Sequence, residues 1–140
     1  MYYVNEQQIR DRLSMIPLLQ EGAEQLQQQW KPQDTLKWLA QERILHLAIE
    51  IVTDVGSSLI DGFIMRDASS YEDIMEIIYG ESVIQEEVFL ALRSLVKLRK
   101  PLVQQYMELQ RGELYPELET VIVYLPIFSE QVETYLKTEL

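Results

Sequence analysis

Apolar positions recur at spacings of three and four along almost the whole 140-residue chain, and alternation with period two never lasts more than a few residues. Helices are therefore predicted nearly throughout. Ile9, Leu13, Ile16, Leu19 (or Gln20), Ala23 and Leu26 mark the inner face of a first helix, for which Asn5 is a suitable cap. Pro17 falls inside that run and, lacking a backbone donor, kinks the helix or ends its first segment. Lys31-Pro32 punctuates the chain, and Asp34 is placed to cap a second helix. From Leu36 to about Ile60 the apolar stripe is wide. Ile44, Leu47, Ile51, Val55 and Leu59 form one line, and Leu45, Ala48 and Val52 broaden it. A stripe of that width predicts contact on two sides. Gly56 within it costs roughly 1 kcal/mol against alanine, which points to close approach of another backbone.

Asp61 to Ser70 reads as a loop. Ser70 precedes a short helix, Tyr71 to about Tyr79, with Glu72 and Asp73 near its positive end and Gly80 as a stop. A further helix is predicted from about Gln85 to Arg99, with Val88, Leu92, Leu95 (or Val96) and Leu98 facing inward. Pro101 pushes Lys100 away from helical geometry and so breaks or kinks it there. A last helix is expected over Leu114 to Lys137, with Pro116 in its first turn and a bend at Pro126. No repeat or linker interrupts the pattern. The expected architecture is a single all-α domain over residues 1–140, an antiparallel four-helix bundle with one additional short helix.

Composition narrows the chemistry. There is no cysteine and one histidine, His46, which excludes a disulfide scaffold, a thiolate nucleophile and a multi-histidine zinc site within one chain. Glu42, Glu50 and Asp54 on one helix and Glu86-Glu87 on another lack the paired Glu-x-x-His elements of a di-iron bundle. Gly80-Glu81-Ser82 is too short for a phosphate loop. No cofactor or metal is expected. Neither a secretory leader nor an apolar run of membrane-spanning length is visible, so a cytoplasmic protein without membrane contact is the expectation.

The net charge of −11 argues against broad coating of nucleic acid. It hides an asymmetry, however. Between Ala91 and Gly112, Arg93, Lys97, Arg99, Lys100 and Arg111 face Glu108 alone, a window of +4 in a chain whose remainder carries −15. Such a window is either a solvated helix face or a small anion site on an acidic protein. Tyr2-Tyr3, Trp30 and Trp38 are available to stack bases, although scattered aromatics more often pack.

Three stretches carry a resemblance. Glu42 to Glu50 with Asp54-Val55-Gly56 and Ile60, then Ser70-Tyr71-Glu72-Asp73, then Leu95 to Tyr106 are similar, in order, to HepT-like proteins of the HEPN superfamily. The resemblance implies a HEPN-like helical homodimer. Active relatives are metal-independent endoribonucleases, toxins paired with a minimal nucleotidyltransferase antitoxin. Their motif is arginine, four residues, histidine, one residue, tyrosine. Here Arg99 stands at the arginine, Gln104 at the histidine and Tyr106 at the tyrosine, which in the family is a site of adenylylation; Lys100 stands where a polar residue follows the arginine. Lys97 and Lys100 are the expected additional RNA contacts.

Gln104 changes the chemistry. Metal-free RNA cleavage needs a group that moves a proton near neutrality, which histidine does. An amide hydrogen-bonds but does not exchange a proton there, and losing acid–base help costs about 10²–10⁴-fold. Arg99 keeps the planar fork that holds a phosphate. The expectation is a weak or inactive ribonuclease, the alternative a non-catalytic dimer that binds RNA or nucleotide or serves a nucleotidyltransferase partner. His46 lies outside the motif and reads as a packed or partly exposed helical histidine; the alternative is that a dimer brings it to the site as a substitute. If the helix continued through Pro101, Tyr106 would share a face with Arg99, seven residues earlier.

Overall fold

The structure, a computed structural model, describes residues 2–140. Asn5 caps α1 (Glu6–Leu13), its side chain accepting from the Gln8 amide at 3.0 Å. α2 (Ile16–Gln29) follows after Ser14 and Met15, both of which keep right-handed helical backbone angles. Only these two residues separate the helices, and Pro17 lies in the first turn of α2, where a missing N–H leaves no bond unmade.

Asp34 caps α3 (Thr35–Gly62), accepting from the Leu36 amide at 3.1 Å. α1, α2, α4 and α5 all pack on this helix, which explains the width of its apolar stripe. Leu45, Ala48, Ile49, Val52, Val55 and Leu59 are fully enclosed. At Gly56 an added Cβ would overlap the Ile74 side chain of α4 (Tyr71–Gly80), so the expected close approach is made by a side chain rather than by backbone. The start of α4 is tightly fastened. Ser70 Oγ accepts from the Asp73 amide, the Asp73 carboxylate accepts from the Ser69 amide at 2.9 Å, and Arg66 donates to both its oxygens at 2.7 Å. α4 ends at Gly80 as expected, but the left-handed residue of the turn is Ser82, with φ of 63°.

α5 (Glu86–Lys97) is shorter than predicted. Beyond it, Lys100–Gln104 form a π-helical turn in which the Gln105 amide reaches back five residues to the Lys100 carbonyl at 3.0 Å. A 3₁₀ turn, Tyr106–Glu108, comes next.

The last helix does not begin at Leu114. Backbone groups at Glu113 and Tyr115 are taken by the buried Gln41, whose amide donates to the Glu113 carbonyl at 3.1 Å and accepts from the Tyr115 amide at 2.8 Å. Those side-chain bonds hold the chain ahead of the helix, and a second π-turn, Thr120–Tyr124, leads into α6 (Leu125–Glu139). Pro126, where a bend is expected, lies in the first turn of α6, directly after this π-turn. Pro126 has no N–H for the Ile122 carbonyl four residues earlier, and Gln20 Nε2 donates to that carbonyl instead, at 3.1 Å. Leu118, Val121, Leu125, Phe128, Val132 and Leu136 close a single core with the inner faces of the other helices. The fold is all-helical, and among the described residues no helix is long and apolar enough to cross a membrane.

Candidate functional site

Where α5 gives way to the π-turn it faces the N-terminus of α4, leaving an open cleft of about 240 Å³. α4 and its cap supply Ser70, Tyr71 and Glu72; the joint supplies Lys97, Arg99, Lys100 and Gln104 over Val96. Four of the five residues singled out from sequence thus converge. The fifth, Tyr106, does not line the cleft. It lies on the following 3₁₀ turn with its ring half exposed. The face expected to join it to Arg99 is not formed, because the chain leaves α-helical geometry at the π-turn before Tyr106 is reached.

Arg99 is held from two directions. Its guanidinium carbon sits 3.9 Å from the centre of the Tyr71 ring, and its Nε is 4.0 Å from Glu50 Oε1 on α3. That Nε is buried and has no hydrogen-bond partner among the described residues. With Nε turned into the protein, it is the remaining nitrogens of the guanidinium fork that can donate to an anion's oxygens at the cleft. Most of the basic window is neutralised locally: Arg93 pairs with Glu76 and covers Phe89, Arg99 faces Glu50, and Arg111 pairs with Glu42. Lys97 and Lys100 form no ion pair among the described residues. The positive field that survives is therefore concentrated at the cleft, with Glu72 at its edge.

One line of α3 organises this region. Glu42, His46 and Glu50 are four residues apart and share a face. Glu42 accepts two bonds from Arg111, at 2.8 and 3.0 Å, and Arg111 also donates to the Tyr106 carbonyl at 3.2 Å. The hydrogen bonds to Glu42 raise the Arg111 pKa above its ordinary value. The Tyr115 phenol is likewise raised, chiefly by burial. His46 Nε2 lies 3.4 Å from the same Glu50 oxygen that faces Arg99, and its Nδ1 is 3.5 Å from Arg43 Nη1. His46 is partly exposed, as expected of a helical histidine, yet it stands one carboxylate away from the motif arginine.

Sequence reading missed Glu50 and Tyr71 as site residues. The four-residue spacing of Glu42, His46 and Glu50 was visible, but nothing local says that this face meets residues 99 and 111. The indoles of Trp30 and Trp38 donate to the Gly112 and Pro32 carbonyls, and Tyr2 packs on Phe63, so these aromatics serve the scaffold. Among the described residues no group of three or more His, Asp or Glu side chains is placed to hold a metal ion.

Comparison with known proteins bears on the fold and the family. Residues 8–133 match the family model described as Ribonuclease HepT-like. A Bacillus subtilis (strain 168) protein named "Putative RNase YutE" is 46% identical over 102 residues, 73% of this chain and 71% of that protein. A solved structure of a cytosolic protein of unknown function, YutE from Bacillus subtilis, superposes with a TM-score of 0.87 at 38% identity, covering 100% of this chain and 96% of that one. The chain belongs to the HepT-like ribonuclease family.

Proposed function

We propose that this protein grips RNA phosphodiesters at the Arg99 cleft and cleaves them slowly, as a cytoplasmic, metal-independent endoribonuclease with a weakened active site. The observation that carries this reading is the convergence of Arg99, Lys97, Lys100 and Gln104 on one cleft. Arg99 supplies a planar fork for the phosphate, and the lysines supply charge that a diffusing RNA meets first. Gln104 occupies the motif position where proton transfer is needed, and its amide gives a hydrogen bond only. Purified protein is expected to cut RNA poorly, and Gln104→His to raise the rate by about 10²–10⁴-fold. Brisk cleavage by the wild type, unchanged in Gln104→His, would sink the assignment. Arg99→Ala is expected to weaken RNA binding at low salt and flatten its salt dependence.

The same amide favours a second reading, in which binding persists without turnover and the protein acts as an RNA- or nucleotide-binding partner. Either way we infer a homodimer that works beside a minimal nucleotidyltransferase antitoxin. The half-exposed Tyr106 ring and the neighbouring Met107, 82% exposed, support access by a modifying enzyme. Sedimentation at micromolar concentration tests the dimer. Label transferred from ATP to wild type but not to Tyr106→Phe tests the modification.

A further inference from the structure

Resting on the RNA reading above, we infer that the depression next to the Arg99 cleft is a nucleobase subsite, in which an unpaired base of the gripped RNA packs against Tyr71 beside the Ser57 hydroxyl. The two hollows adjoin. Lys97, Arg99 and Lys100 line the cleft; Ser57, Ala68, Ser69 and Ile74 line the second depression, of about 330 Å³; Ser70 and Tyr71 line both. Tyr71 is thus a wall that they share.

Their chemistry divides as a nucleotide does. The cations are in the cleft, and no charged side chain lines the second depression. Asp73 fastens its rim by accepting from the Ser69 amide and hydroxyl, and is itself paired with Arg66 at 2.7 Å, so the rim is ordered and locally neutral. What the depression offers is an aromatic ring, the apolar side chains of Ala68 and Ile74, and serine hydroxyls. A phosphate finds no countercharge there. A flat, uncharged base finds a ring to pack on and hydroxyls that both donate and accept.

Tyr71 is open to that role. It is 45% exposed. Arg99 sits over its ring but does not line the second depression, which therefore meets the ring away from the guanidinium. α3 sets the spacing. Glu50, 4.0 Å from Arg99 Nε, and the exposed Ser57 are seven residues apart, two turns and roughly 10 Å along one face. A phosphate at Arg99 and a base beside Ser57 are within one nucleotide of each other. Only a base outside a stacked duplex can enter, so the RNA this subsite takes is unpaired at that position. Serine hydroxyls accept either edge pattern, which gives little choice among the four bases.

The test uses the full chain and two ligands, a short single-stranded RNA oligonucleotide and a chain of the same length made with abasic sugars throughout. The second keeps every phosphate and no base. Fluorescence anisotropy at low salt gives both affinities. Wild type is expected to prefer the intact RNA by about 5- to 30-fold. Tyr71→Leu, which removes the ring, and Ser57→Leu, which fills the depression from an exposed position, are each expected to lose that preference. Arg99→Ala is expected to weaken both ligands and to keep the ratio between them. If wild type binds the two chains equally, or if the preference survives in either folded variant, the subsite falls, and weakened binding in Arg99→Ala leaves the RNA reading standing. If wild type binds neither chain, or Arg99→Ala binds both as wild type does, the RNA reading falls and the subsite with it.

Discussion

Arg99 sits over the Tyr71 ring, its guanidinium carbon 3.9 Å from the ring centre. The contact joins the segment just after α5 to the first residue of α4 and restrains the guanidinium beside the cleft. Removing the ring is expected to cost about 0.5–2 kcal/mol of that organisation. Tyr71→Ala should therefore bind an RNA oligonucleotide about 2- to 30-fold more weakly, whereas Tyr71→Phe should bind like wild type. Fluorescence anisotropy at low salt measures both, and equal affinities for wild type and Tyr71→Ala would show that the stacking is incidental.

The loop carrying Tyr106 is held by two fastenings of different strength. Gln41 is buried and serves backbone groups of Glu113 and Tyr115, so Gln41→Ala strands both, at about 1–3 kcal/mol each. Arg111 and Glu42 are partly exposed, and breaking them with Glu42→Gln should cost at most about 1 kcal/mol. Denaturant unfolding gives the stabilities. Amide exchange over residues 105–115 should quicken in both variants, far more in Gln41→Ala.

Asp73 gives the fold an acid-sensitive point beside the cleft. The Arg66 fork, followed by the Ser69 amide, holds its carboxyl well below the usual carboxylate range. The folded protein thus binds that proton more weakly than the unfolded chain. Its stabilising effect is complete above the ordinary aspartate value near roughly pH 4 and fades as pH falls towards the depressed value. Asp73→Asn should lower Tm at pH 6, and the gap from wild type should shrink in more acid solution. A gap that stays constant down to pH 2 would contradict this.

Gly56 cannot accept even one methyl group without displacing Ile74. The Ile74 methyl it meets sits on a branched Cβ in the core, where rotation is restricted. Gly56→Ala should lower stability by about 1–3 kcal/mol, despite alanine's better helix propensity, and Tm by about 3–10 °C. A rise in Tm would mean that α3 and α4 have room to separate.

The periodicity of the chain was enough to place α1 to α5 closely, because caps such as Asn5, Asp34 and Ser70 act within one turn of themselves. The start of the last helix was not legible. Gln41, more than seventy residues away, holds the Glu113 carbonyl and the Tyr115 amide, and nothing near Leu114 in the chain announces that contact. At the cleft, the motif residues could be read from their spacing, since four of them are within eight positions. Glu50 and Tyr71 join them only through the packing of α3 and α4 against the end of α5. The basic window overstated the local charge for the same reason: its arginines meet carboxylates from distant helices.

The carbonyl of Ile122, released by Pro126 and taken up by Gln20, makes two far-apart positions interdependent. A leucine at 20 would orphan that oxygen; an alanine at 126 would hand it a neighbour's amide and make the glutamine dispensable. Anyone re-engineering this scaffold has to edit the pair as a unit, since either substitution alone misjudges what the other residue is for.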